Sequence, residues 1–226
     1  MLIKVFLICT LHIMHYSFHK EDKMMNALKK SVLTAATLLC CSVAFAAPQD
    51  AVNQVKTNSV EILKILNKEN GANADAVRAE AERYASPYFD FERMTALAVG
   101  QPWKQASAEQ KKQLAEAFRA KLIRIYSGTM FQYKSAQVKI NENPRVENNG
   151  KQVIISTEVL PSANSAKSDV VHIDYTTYQN GDKYRIYDVK VEGQSLVTVY
   201  RNQFKEIVNK SGIDGLIAEL NKESGK

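Results

Sequence analysis

Apolar residues recur every three to four positions as far as Tyr133, and every second position from Gln137 onward. A single layer cannot satisfy both periods, because a 3.6-residue repeat makes a helical stripe and a two-residue repeat makes one face of a strand. The helical part comes first. Ala51 to Lys68 carries Val52, Val55, Ile62, Leu63 and Leu66 near one face, and Asn70-Gly71 stops it. Asn73 to Ala85 predicts a second helix, closed by Pro87. Asp90 caps a third, which carries Phe91, Met94, Leu97 and Ala98 inward and ends at Gly100. Ser107 with Gln110 forms a capping box. The helix it opens keeps its spacing through Leu114, Phe118, Leu122, Ile125, Tyr126, Met130 and Tyr133, a predicted length of about 39 Å if straight.

The alternating part follows. Gln137 to Asn141, Lys151 to Leu160, Val170 to Tyr178 and Tyr184 to Glu192 each predict a strand, with turns at Asn148-Asn149-Gly150 and Asn180-Gly181. Val153, Ile155, Thr157 and Val159 share a face. So do Val171, Ile173 and Tyr175, and on plain alternation Tyr187, Val189 and Val191. Ser195 caps a helix carrying Leu196, Val199, Tyr200, Phe204 and Ile207, and Gly212 precedes a last one from Asp214 to Leu220. Helices, then a meander, then helices imply an α+β fold, with helices packed on one curved antiparallel sheet.

The first 46 residues read as a leader. Lys29-Lys30 behind Met25, an apolar run from Val32 to Val43 and Ala44-Phe45-Ala46 make a secretory signal peptide with cleavage after Ala46. The run is too short to span a bilayer. Lipidation at Cys40 or Cys41 fits poorly, since Leu38 and Leu39 are bulky. Residues 1–24 read as an upstream extension, because the signal is complete from Met25. The expected working chain is one domain, residues 47–226.

Cleavage removes Cys9, Cys40 and Cys41, along with His12, His15 and His19, leaving His172 alone. A disulfide, a thiol nucleophile and a zinc site are thereby excluded from the working chain. Five lysines and two acids leave with the leader, so the net charge falls from +6 to +3. Neither that charge nor export fits nucleic acid. No glycine-rich phosphate loop and no GxSxG elbow is present. An enzymatic reading would need Asp174 or Asp188 as a base in a sheet-lined cavity. Asp174 and His172, however, alternate with Val171, Ile173 and Tyr175, so they face away from the apolar side.

Two blocks are more specific. One is YFDFERMTALAVGQPWKQASAEQKKQLAEAFRAKLIRIYSGTM, from Tyr88 to Met130. The other is YRIYDVKVEGQSLVTVYRNQF, from Tyr184 to Phe204. Together they resemble the MlaC, or toluene-tolerance, family of periplasmic phospholipid-binding proteins. Gln194 departs from the aliphatic residue common at that place, and Ala98-Val99-Gly100 is a mild variant. The resemblance implies a carrier of diacyl phospholipid between an inner-membrane ABC transporter complex and an outer-membrane lipoprotein–porin complex. It implies no catalysis, no metal and no cofactor beyond the lipid cargo. The tails would lie in an apolar cavity between helices and sheet.

On that reading the expected wall takes Met94, Leu97 and Trp103 from the third helix and its exit. Phe118, Leu122 and Tyr126 come from the long helix, and Val171, Ile173, Tyr175, Tyr187 and Val189 from the strands. Leu196, Tyr200 and Phe204 complete it. Arg201 is the head-group candidate, against a capping role. Lys111, Lys112, Arg119, Lys121 and Arg124 line the outer faces of the long helix, as a solvated face or a docking face for an acidic partner. The same positions would also fill an ordinary core, giving an adaptor or chaperone with no cargo.

Overall fold

The computed structural model describes residues 47–162 and 164–223. The leader expected over residues 1–46 lies outside the described residues. Helix α1 spans Pro48–Leu66, with proline at its first position, where a missing N–H costs nothing. Helix α2 spans Ala74–Ala85. Helix α3 spans Phe91–Val99, and the Asp90 carboxylate accepts from the Arg93 N–H at its start. Gly100 closes α3 with φ +73°, a conformation that glycine adopts without strain. The capping box forms as expected: the Gln110 N–H donates to Ser107 Oγ at 3.1 Å and the Ser107 N–H to Gln110 Oε1 at 3.0 Å.

Helix α4 that follows is shorter than its apolar spacing predicts. It covers Ala108–Ser127, and the chain then tightens into a 3-10 turn at Met130–Tyr133. Gly128 marks the change. The 3.6-residue spacing runs on through the 3-10 turn, so the periodicity overshoots the helix by about a turn and a half.

Six antiparallel strands follow: β1 Gln137–Ile140, β2 Arg145–Glu147, β3 Gln152–Leu160, β4 Val171–Asn180, β5 Lys183–Val191 and β6 Gln194–Ser195. The order across the sheet is β1-β3-β4-β5-β6, with β2 also paired to β3. Asn148, Asn149 and Gly150 all take positive φ in the β2–β3 turn, as asparagine and glycine allow. Helix α5 runs from Leu196 to Glu223 and breaks at Gly212, as expected there, where φ is +69°.

A β-bulge changes one expectation. Thr176 pairs with Asp188 and Thr177 with Ile186, which leaves Tyr187 as an extra residue in β5. Tyr187 therefore does not share a face with Val189 and Val191. Its ring turns to Tyr178 at 5.9 Å, on the other side of the sheet.

Candidate apolar binding site

The residues expected to share one wall separate into two groups. Met94, Phe118, Leu122, Tyr187, Tyr200 and Phe204 are buried in one cluster with Leu114, Val197 and Leu216, and Leu97 and Trp103 pack partly against it. Phe118 sits at its centre. Its ring meets Tyr200 at 4.8 Å and Phe204 at 5.1 Å, both edge-on, the arrangement aromatic quadrupoles favour. Phe118 and Phe204 have 0% and 2% of their surface exposed, so this group is the packed core of α3, α4 and α5. Tyr126 lies outside it, with 43% exposed. Leu196 is half-buried at the start of α5.

The second group is on the sheet. Register places Ile140, Thr157, Ile173 and Val191 side by side across four strands. Ile155, Tyr175 and Val189 form the adjoining row, and Val138, Val159 and Val171 the row on the other side. The result is a face of branched aliphatic side chains, with Tyr175 and Thr157 as its polar members. Helix α1 roofs one end of it: Ala51, Val52 and Val55 pack on Val153, Ile155 and Tyr184, with Ile140 and Tyr175 alongside. The roof is clasped to the sheet edge by Gln54. Its amide donates to the Tyr184 carbonyl at 2.6 Å and accepts from the Tyr184 N–H at 2.9 Å, so one side chain satisfies a residue of β5 as a neighbouring strand would. Val171, Ile173, Val189 and Val191, farther along the face, are only half-buried. Burial pushes the Tyr175 phenol up from its ordinary value, against the hydrogen bond with Thr157.

Among the residues expected in the wall, Val171, Ile173, Tyr175 and Val189 share one face in the register, and their cross-strand neighbours Val138, Val159 and Val191 are not among those expected. The alternation in β3 carries the signal for Val159. Nothing in the sequence marks Gln54, since a glutamine on a helix is ordinary.

Arg201 donates from Nε and Nη2 to the Leu97 carbonyl, at 2.9 and 2.7 Å. It caps the C-terminal end of α3, beside an open cleft of ≈390 Å³ lined by Leu97, Gly100, Gln101 and Lys104. Both candidate bases are occupied in the structure. Asp174 accepts from Arg145 Nη2 at 3.4 Å, and Asp188 accepts from the Val197 N–H at 3.2 Å, capping α5. His172 is exposed, with its backbone N–H on the Glu192 carboxylate at 2.6 Å. Among the basic residues of α4, Arg119 is tied to Glu82 at 2.5 Å and Lys111 lies over the Trp103 ring. Among the described residues no group of acidic, histidine or cysteine side chains is placed to hold a metal, and no helix is long and apolar enough to cross a membrane.

Residues 53–222 match the family model described as MlaC protein. The chain belongs to the MlaC family. Among curated MlaC relatives, the toluene tolerance protein ttg2D of Pseudomonas putida is 23% identical over 88% of this chain and 94% of its own length. The intermembrane phospholipid transport system binding protein MlaC of Haemophilus influenzae is 19% identical, over 86% and 90%. A solved structure, the phospholipid-binding protein of Ralstonia solanacearum in complex with a phospholipid, superposes with a TM-score of 0.68. It is 26% identical, over 77% of this chain and 97% of that one.

Proposed function

We propose that this MlaC-family chain is a periplasmic phospholipid carrier, not an enzyme, and that the acyl chains of its cargo lie against the sheet face built by Val171, Ile173, Tyr175 and Val189. The observation that carries the reading is that face: four strands of aligned branched side chains, half-buried beyond the α1 roof. The Ralstonia relative, with phospholipid bound, supports it. Two acyl chains carry about 30 methylenes. At roughly 0.8 kcal/mol each, their exposure costs on the order of 20 kcal/mol. A carrier therefore has to cover the tails and release them only while docked. That favours one protein partner at each membrane, an ABC transporter complex at the inner and a lipoprotein–porin complex at the outer. Arg201 is better explained as the cap of α3 than as a head-group ligand, since two of its donors are already on Leu97.

The test is native mass spectrometry with lipid extraction on the chain starting at Ala47, purified without detergent. A stoichiometric diacyl phospholipid supports the proposal. The tight α3–α4–α5 core favours one second reading, an adaptor with no cargo. A clean apo mass, with no uptake from vesicles, would select it.

A further inference from the structure

Ala47 is held from both sides. Its backbone N donates to Asp50 Oδ2 at 2.9 Å, and its carbonyl accepts from the Asp50 N–H at 2.8 Å and from the Tyr184 hydroxyl at 3.2 Å. Asp50 is in the first turn of α1, so its carboxylate also meets the positive end of the helix. Pro48 follows Ala47 and fixes the direction in which the chain enters the helix. Ala47 is also the residue that the Ala44-Phe45-Ala46 pattern would leave first after cleavage. The bond read as the cut and the residue tied down by the fold therefore coincide.

We propose that hydrolysis of the peptide bond ahead of Ala47 frees an α-ammonium that pairs with Asp50, and that this pair completes the clasp of α1 on the sheet. Water adds across the amide. The leader leaves with the new carboxylate, and Ala47 keeps the nitrogen, protonated at neutral pH. An amide offers Asp50 one neutral donor, whereas an ammonium offers three donors and a full charge at the same place, which makes a shorter and stronger bond. Without Asp50, a cation at a helix N-terminus would be unfavourable. The group facing the pair is the Tyr184 hydroxyl on β5, which burial and Asp50 both push up from its ordinary value; the nearby α1 residues Gln49 and Lys56 are engaged by Glu142, just past β1. Because α1 roofs the apolar face, processing on export would also finish the roof of the proposed lipid site.

The inference rests on the export reading, and its test is independent of lipid. Full-length protein exported from a Gram-negative host is isolated from the periplasm and its intact mass and first residue are read. A start at Ala47 is expected, and any other start overturns the proposal. The chain from Ala47 is then compared with its Nα-acetylated form in thermal melts between pH 6 and 10. The sign follows from a raised α-amino pKa: stability is present below about pH 8, the ordinary α-amino range, and lost as pH rises through the folded value. The free amine should melt a few degrees higher at pH 6.5, the gap should close by pH 10, and Asp50→Asn should abolish it while leaving a cooperative melt. Equal melts for the free and acetylated chains at pH 6.5 would overturn the pairing, whatever native mass spectrometry says about cargo.

Discussion

Phe118 and Ile173 look alike in the sequence, as large apolar residues on periodic faces, yet the structure gives them different work. Phe118 is fully buried between Tyr200 and Phe204. Phe118→Ala should cost about 3–5 kcal/mol, through lost transfer energy and the cavity left behind, read as a lower urea midpoint. Ile173 is half-buried on the sheet face, between Thr157 and Val191. Ile173→Trp should keep the unfolding free energy from urea melts within about 1 kcal/mol of the parent, yet lower the stoichiometry of bound lipid in native mass spectrometry. If the tryptophan variant stayed folded and fully loaded, the tails would not lie on this face. The two aspartates weighed as bases have structural partners instead. Asp188 is a helix cap and Asp174 an ion-pair partner of Arg145, so replacing either by asparagine should leave lipid occupancy unchanged.

The longer elements were legible because each carries its own punctuation. Asp90 with Gly100, Ser107 with Gln110 and Asn148 to Gly150 are local signals, and all of them form. What escaped has no such mark. Strand β2 is three residues with every side chain exposed, and β6 has two residues, too few to alternate. The β5 bulge inserts one residue without any change in composition, and that single step moves Tyr187 from the expected wall into the helical core. Core and site were also inseparable by pattern, because burial in a helix cluster and burial under a ligand select the same residue types.

The Gln54 clasp is an element-level device of this kind. Gln54→Ala would leave the Tyr184 N–H and carbonyl without that partner at a part-buried edge. The expected cost is about 1–3 kcal/mol, with faster hydrogen exchange at the Tyr184 amide. An unchanged exchange rate would mean that Gln54 does not hold α1 to this edge. The α1–α2 turn has its own electrostatic tie. Hydrogen bonds from Lys134 and the Gly71 N–H hold Glu69 below the ordinary carboxylate value of about 4.5. Lys56 and Gln49 act likewise on Glu142, as does the His172 N–H on Glu192. Each contribution is present above the ordinary value and lost as pH falls through the lowered one. The urea midpoint should therefore drop between pH 5 and 3, and Glu69→Gln should flatten part of that slope. Glu142 and Glu192 are exposed, so 1 M salt should weaken their share, whereas Glu69 is half-buried and should keep more of its own.

At the scale of the described domain, a tightly packed helical core joins a sheet whose apolar face is partly roofed, and this division suits a carrier. The α3–α4–α5 cluster can hold its shape with or without cargo, because its aromatic centre is filled by its own side chains. The sheet face gains most from a lipid, since covering half-buried valine and isoleucine adds burial on both partners. Loading should then stabilise the sheet and α1 more than the helical core, visible as hydrogen-exchange protection concentrated in β3, β4 and α1. On the proposed site, burial of the tails also sets how cargo leaves. Lipid-loaded protein diluted a thousandfold into lipid-free buffer should keep its lipid in native mass spectrometry, because release into water exposes both chains at a cost on the order of 20 kcal/mol. Acceptor vesicles alone should extract little over the same time, and a docking partner should speed the transfer. Prompt loss of lipid on simple dilution would mean the tails are not enclosed. The sheet face would then be a surface on which lipid adsorbs rather than a site that carries it.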